Sequence, residues 1–245
     1  GGTAGMKTRS ARLDAIRGWA LVSMIAYHAS WDLVYLFGLD WPWYHSFGAH
    51  VWQQSICWTF LLLSGFCWSL GRRQLRRGLT VFLCGAAITG VTWAFMPSNL
   101  VFWGVLSLLG ASSMLLVPLE PLLRRVPARL GLCVSFAAFL ILRDVHSGWL
   151  GFEGLRILPL PAGLYRNLFT ACLGFPPDGF FSTDYFPLLP WFFLFLTGWF
   201  LYRLKPEDVQ EGRARPLVSF LGRHSLLVYM LHQPVVYGIL RLMFH

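Results

Sequence analysis

The sequence predicts an all-α protein, a polytopic transmembrane bundle of about seven helices with its N-terminus in the cytoplasm. Hydrophobic residues make up 56% of the chain and charged residues only 13%, whereas soluble proteins have about 25% charged residues. Several apolar runs approach the ~20 residues that cross a bilayer. Arginine clusters follow alternate runs, which is the charge pattern of cytoplasmic connections.

The apolar runs give the predicted spans in chain order. One long connection, residues 143–186, separates the fifth span from the sixth, and four prolines interrupt it. Within this connection we expect residues 164–174 to form an interfacial or re-entrant helix. The seven spans are predicted at residues 13–37, 51–70, 79–96, 101–119, 130–142, 188–204 and 217–244.

Positive charge sets the predicted orientation. Basic residues precede the first span and fill three connections, at residues 72–77, 124–129 and 203–215, which all fall on one side of the bundle. The positive-inside rule makes that side cytoplasmic and places the C-terminus outside. The net charge of +9 has the same explanation, so we expect a lipid bilayer and not a nucleic acid as partner.

The chain ends and the cysteines indicate no further chemistry. We expect residues 1–5, ahead of Met6, to be an artificial addition and residues 6–245 to form a single membrane domain. The first apolar segment is too long for a cleavable signal peptide and lacks a small-residue cleavage site. The five cysteines form no CxxC pair. We therefore interpret them as small apolar residues and not as disulfides or metal ligands. No metal is predicted.

The first span carries a polar stripe that is costly in a membrane. Asp14, Arg17, His28 and Asp32 fall within a stripe roughly 60° wide, because a helix turns about 100° per residue. Each ionisable group in a bilayer costs roughly 2.5–3.5 kcal/mol on insertion scales. Two interpretations stay open. Either the charges lie at the two interfaces, with Asp14 paired to Arg17, or the stripe lines a polar cavity that performs chemistry.

The polar residues on and near this stripe each have a chemical and a structural interpretation. His28 suits a general base, and Asp32 one turn later would fix its tautomer, but a structural histidine is the alternative. Arg17 can hold a phosphate through two hydrogen bonds, or it extends to the interface from a helix end. Arg72 and Arg73 can hold a polyanion on the same face, or they mark the cytoplasmic side.

Two further regions carry candidate residues. Asp184 and Tyr185, in the loop before the sixth span, suit a sugar ring and equally suit a belt of headgroup contacts. The segment Gly222-Arg223-His224-Ser225 opens the last span, and Pro234 is expected to kink it. His232 beside this kink is either functional or bonded to a carbonyl that the proline frees.

Four segments, taken in order, carry a resemblance to a known family. They are RLDAIRGWALVSMIAYH, FWGVLSLLG, DYFPLLPWFFLFLTG and LGRHSLLVYMLHQP, and the resemblance, from the first segment to the last, extends over nearly the whole chain. The chain resembles bacterial members of the heparan-α-glucosaminide N-acetyltransferase catalytic-domain family, within the transmembrane acyltransferases. Ten residues separate Arg17 from His28, as in the related acyltransferase branch, and His28 opens a His-Ala-Ser-Trp tetrapeptide. Ser107 departs from the family pattern, since many relatives have His or Gln there.

The resemblance implies transfer of an acetyl group from cytoplasmic acetyl-CoA to an amino or hydroxyl group of a sugar or glycoconjugate, in the bacterial inner membrane. It implies His28 as the catalytic residue, and Asp32 would orient it. The residues that we assign to the acetyl-CoA site are Asp14, Arg17, Arg72, Arg73, Arg223 and His224. Those assigned to the acceptor site are Trp31, Asp184, Tyr185 and His232.

Other functions stay open at this point. A transporter or lipid flippase would use the polar stripe as a permeation path and would move its substrate without acetyl-CoA. A structural membrane protein would bind no CoA, and its stripe would only pair helices. The third alternative is an acyltransferase that uses a longer acyl-CoA in place of acetyl-CoA. The sequence also leaves a homodimer open.

Overall fold

A computed structural model describes residues 11–205 and 216–244, most of which are helical. The helices and strands are α1 Ala11–Tyr35, α2 Phe47–Trp68, α3 Gln74–Phe95, α4 Val105–Leu123, α5 Ala128–Ile141, β1 Trp149–Phe152, β2 Leu155–Pro159, α6 Leu168–Leu173, α7 Leu188–Leu204, α8 Pro216–Arg223 and α9 Ser225–Met243. Four short 3-10 helices lie at Pro42–His45, Pro97–Asn99, Val145–Ser147 and Ala162–Leu164. The chain divides into two compact units, one of residues 1–60 and 206–245 and the other of residues 61–205.

Three helices in the described part of the chain are long and apolar enough to cross a membrane, namely α3, α4 and α9. They overlap the third, fourth and last predicted spans, and the protein is an integral membrane protein. Helices α5 and α7 are apolar but shorter. Helices α1 and α2 have the length of spans, with 25 and 22 residues, but polar residues lower their mean hydropathy. Seven spans and a cytoplasmic N-terminus stay predictions.

The first unit packs α1 against α8 and α9. Gly222 of α8 approaches α1 so closely that a Cβ built on it would lie 2.0 Å from the Asp14 carbonyl oxygen. Gly18 of α1 makes the reciprocal approach to Val218, with 2.1 Å from a built Cβ to its carbonyl oxygen. Small residues allow such backbone contact between membrane helices. The predicted last span is therefore two helices. Helix α8 packs against α1, and the backbone leaves helical geometry at His224, before α9 begins.

An apolar cluster closes the core of the first unit. Leu21 and Met24 of α1 and Ile56 of α2 are buried in it. Trp52 packs against this cluster and also donates its indole N–H to the Ser23 hydroxyl, at 2.8 Å. The side chains that face this cluster from α9 include Val228 and Tyr229. Helix α1 therefore carries both the polar stripe and part of this apolar core.

The second unit is built on two helix pairs, α3 with α4 and α5 with α7. Its core holds Trp68, Leu116, Phe195, Trp199 and Phe200. The guanidinium of Arg203 donates to the carbonyls of Leu123, Arg124 and Val126 at the end of α4. A cation there stabilises helix carbonyls that have no partner within the helix.

The long connection contains a β-hairpin that the sequence did not predict. Strands β1 and β2 pair antiparallel around Glu153 and Gly154, whose φ angles are +49° and +93°. The Asp144 carboxylate accepts hydrogen bonds from both of these amides, at 3.1 and 2.7 Å. The interfacial or re-entrant helix expected at residues 164–174 is shorter in the structure, where α6 covers Leu168–Leu173 and Asn167 caps it.

Candidate active site

Helices α1 and α9 of the first unit bring together the polar residues that the sequence placed far apart. Asp32 of α1 is completely buried, with 0% exposure. Its Oδ1 accepts a hydrogen bond of 2.9 Å from the side-chain amide of Gln233 on α9. We expected Asp32 to orient His28, but the hydrogen bond that the structure gives this carboxylate goes to Gln233. A buried carboxylate with this partner anchors α9 to α1.

Two histidines lie next to this pair. The ring centroids of His28 and His232 are 4.9 Å apart, with 53° between the ring planes. His232 is buried, and its Nδ1 lies 2.6 Å from the carbonyl oxygen of Tyr229. Since a carbonyl oxygen only accepts, Nδ1 carries a proton, and in the neutral ring Nε2 carries a lone pair. The carbonyl that Pro234 frees in α9 belongs to Met230, so the expected bond to a freed carbonyl is not the one formed.

Three acceptor atoms of this cluster are buried without a hydrogen-bond partner among the described residues. They are Oδ2 of Asp32, Oε1 of Gln233 and Nε2 of His232. A buried polar atom left unpaired costs about 1–3 kcal/mol. A ligand that presents N–H or O–H groups would satisfy these atoms. The cluster therefore suits a hydrogen-bond donor, such as an amine or a hydroxyl, as its ligand.

Aromatic rings line the side of α1 next to His28. Tyr27 contacts the rings of Tyr44 and Trp52, at centroid distances of 5.3 and 5.2 Å. Tyr44 is buried in the connection after α1, and burial raises the pKa of its phenol above its ordinary value. Trp31, assigned to the acceptor site, is half-buried and packs on Tyr35 at 5.0 Å. These rings supply apolar surface beside the polar cluster.

The N-terminal part of α1 holds the predicted ion pair. Arg17 and Asp14 approach to 3.9 Å, and the side chain of Arg17 is 21% exposed. Arg223 and His224 lie exposed at the end of α8, and the His224 ring packs on Phe220 at 4.3 Å. All four residues belong to the first unit, together with His28.

A groove of about 300 Å³ lies between α1 and α2 in the first unit. It is mostly apolar, with three hydroxyl groups among its walls, and it does not include His28 or Asp32. Its lining residues are Ile16, Trp19, Ala20, Ser23, Ser55, Ile56 and Thr59. This position, more than one turn of α1 before His28, separates the groove from the histidine pair.

The remaining predicted site residues belong to the second unit. Arg72 and Arg73 are exposed before α3, and Arg73 has a left-handed backbone, with φ +56°. The Asp184 carboxylate accepts a hydrogen bond of 3.2 Å from the amide of Val105 at the start of α4. Tyr185 donates its hydroxyl to the Ala171 carbonyl of α6. Asp184 and Tyr185 thus have structural partners, and their part in acceptor binding stays a prediction.

Gln233 is the member of the cluster that sequence reasoning missed. It stands between His232 and Pro234 in a segment that already indicated an interruption of the last span. A polar pair in the middle of an apolar helix is the signal that points to it. Within residues 11–205 and 216–244, no group of three or more His, Cys, Asp and Glu side chains has the arrangement of a metal site, and the cysteines are free.

The fold and this cluster define a helical integral membrane protein in which a histidine and a carboxylate, His232 and Asp32, are buried between two of its helices. A family model described as heparan-alpha-glucosaminide N-acetyltransferase, catalytic, matches residues 9–234, and the chain belongs to this family. The family is one of membrane acetyltransferases, which makes the chain a transferase-type enzyme. No curated protein and no solved structure matches the chain.

Proposed function

We propose that the protein transfers an acetyl group from acetyl-CoA, bound on the cytoplasmic side of a bacterial inner membrane, to an amino or hydroxyl group of a sugar or glycoconjugate. Family membership supports the acetyltransferase class. The observation that carries the proposal is the cluster of His28, His232, Asp32 and Gln233, whose buried acceptor atoms suit an incoming N–H or O–H group.

His28 is the proposed catalytic residue. One ring nitrogen takes a proton from the acceptor as the acceptor nitrogen or oxygen attacks the thioester carbonyl. The carbon–sulfur bond then breaks, and the CoA sulfur leaves as a thiolate that recovers the proton from His28. In a second route, His28 takes the acetyl group itself and passes it to the acceptor. Both routes end with acetylated acceptor and free CoA.

The remaining residues divide between the two substrates. Arg17 has a partly exposed guanidinium on the helix that carries His28, and cations of this kind bind the phosphates of CoA. The other proposed donor-site residues are Asp14, Arg72, Arg73, Arg223 and His224. On the acceptor side we propose Trp31, Asp184 and Tyr185, of which Trp31 belongs to the same unit as His28. His232, which the sequence assigned to the acceptor site, lies beside His28.

The proposal is tested with purified full-length protein in lipid vesicles. Acetyl-CoA with a labelled acetyl group is supplied with an amino sugar, and labelled acetylated sugar is the expected product. Thermal shifts with CoA, acetyl-CoA and longer acyl-CoAs determine the donor, and stabilisation by acetyl-CoA is expected. Sugar or lipid flux without acetyl-CoA, and no binding of any acyl-CoA, would instead show a transporter.

A further inference from the structure

We propose that His232 is a positioning residue for His28: its unprotonated Nε2 accepts a hydrogen bond from a ring N–H of His28 and so fixes the His28 tautomer. The inference rests on the proposed function. It gives His232 the part that the sequence suggested for Asp32, in place of contact with the acceptor.

The hydrogen bond of His232 to the backbone fixes its own tautomer. Its Nδ1 donates to the carbonyl of Tyr229 one turn earlier in α9, at 2.6 Å. This bond leaves Nε2 as an acceptor, and Nε2 is buried and unpaired within the described residues. A buried lone pair of this kind needs a donor. The donor must come from a neighbouring side chain or from a ligand.

The His28 ring is the neighbouring side chain that can supply this donor. It lies 4.9 Å from the His232 ring, centroid to centroid, and has no hydrogen bond to any protein group in residues 11–205 and 216–244. At this ring separation, rotation of the His28 side chain can bring one of its N–H groups within hydrogen-bonding distance of Nε2. Catalytic hydrogen bonds are often long or poorly aligned before substrate binds, and they tighten in the complex.

The hydrogen bond of Asp32 also favours His232 as the partner of His28. One of its oxygens is already held by the Gln233 amide at 2.9 Å. Its other oxygen and the Gln233 carbonyl oxygen are left as acceptors. These two atoms suit the donor groups of the acceptor substrate, while His232 serves His28.

This arrangement leaves the proton transfers of the proposed reaction unchanged. One nitrogen of His28 takes the acceptor's proton and later returns it to the CoA sulfur. The other nitrogen keeps its hydrogen throughout and donates it to Nε2 of His232, which stabilises the imidazolium. No proton is transferred to His232, so it acts through His28.

Two substitutions of His232 separate this role from a structural one. His232→Gln places an amide near the position of Nε2 and keeps an acceptor for His28, whereas His232→Asn places it near Nδ1 and keeps only the contact with Tyr229. We expect His232→Asn to lose roughly a hundredfold in kcat, the low end for general acid–base groups, with the KM of both substrates unchanged. We expect His232→Gln to retain activity within about tenfold of wild type.

Higher activity in His232→Asn than in His232→Gln overturns the proposal, because a purely structural contact with Tyr229 would be kept by Asn and lost in Gln. Equal losses in both variants also overturn it. A raised KM for the acceptor with unchanged kcat would return His232 to acceptor binding. The control is His146→Gln, since His146 is exposed in the second unit and the variant should match wild type.

Nitrogen-15 spectra of histidine-labelled protein give a readout that does not need turnover. The signal of His232 is assigned by its loss in His232→Gln, and it should show a protonated Nδ1 and an unprotonated Nε2. His28→Ala should shift the Nε2 signal. The opposite tautomer, or no response to His28→Ala, would contradict the proposal. An inactive wild type with the expected spectra would instead count against the proposed function alone.

Discussion

At the scale of residues, the Asp32 carboxylate is buried with a partner that lies 201 positions later in the chain. Local patterns predict local pairs, since residues three or four apart share a helix face. The contact between Asp14 and Arg17 is of that kind and was predicted. The link between Asp32 and Gln233 was not, because no periodicity within α1 or α9 shows which face of one meets the other.

The link between Asp32 and Gln233 has a testable effect on stability. Gln233→Leu has a similar volume but leaves the Asp32 carboxylate without its hydrogen bond, so we expect a loss of about 1–3 kcal/mol in the free energy of unfolding. The measurement is the melting temperature in detergent. The double variant Asp32→Leu/Gln233→Leu should recover much of the loss, because replacing both partners by apolar groups removes the unpaired atom. A wild-type melting temperature for Gln233→Leu would contradict this.

At the scale of elements, long apolar helices were predictable and irregular segments were not. Helices α3 and α4 follow the predicted spans closely, since run length alone indicates a membrane helix. The hairpin of β1 and β2 was missed because its turn residues, Glu153 and Gly154, are a weaker signal than Asn-Gly or Asp-Gly. The carboxylate that holds the two turn amides belongs to Asp144, which lies outside both strands.

The crossing of α1 and α8 gives a prediction at this scale. A side chain at Gly222 would collide with the backbone of Asp14, so Gly222→Leu should separate the two helices and destabilise the protein by about 1–3 kcal/mol or more. Melting temperature and the yield of monodisperse protein measure this effect. Gly238→Ala in α9 is the control, because nothing lies within 4 Å of a Cβ there. Equal behaviour of the two variants would show that the crossing tolerates a side chain.

At the scale of the whole molecule, the cost of charge in a membrane explains where the polar stripe lies. Ionisable groups in membrane helices face the interior of the protein and find partners there. Asp14 and Asp32 are both buried, the first beside α8 and the second against α9. Composition alone predicted the membrane class. It could not predict that the C-terminal helices cover the stripe, because that depends on tertiary packing.

The most direct test of the account is acetyl transfer by His28→Ala in lipid vesicles. We expect the variant to lose at least about a hundredfold in transfer rate, because a general base contributes roughly 10²–10⁴-fold. It should keep the wild-type melting temperature and the wild-type binding of acetyl-CoA. His146→Gln, treated in parallel, should transfer acetyl at the wild-type rate. Transfer by His28→Ala at a rate near wild type would contradict the central claim that His28 is the catalytic residue.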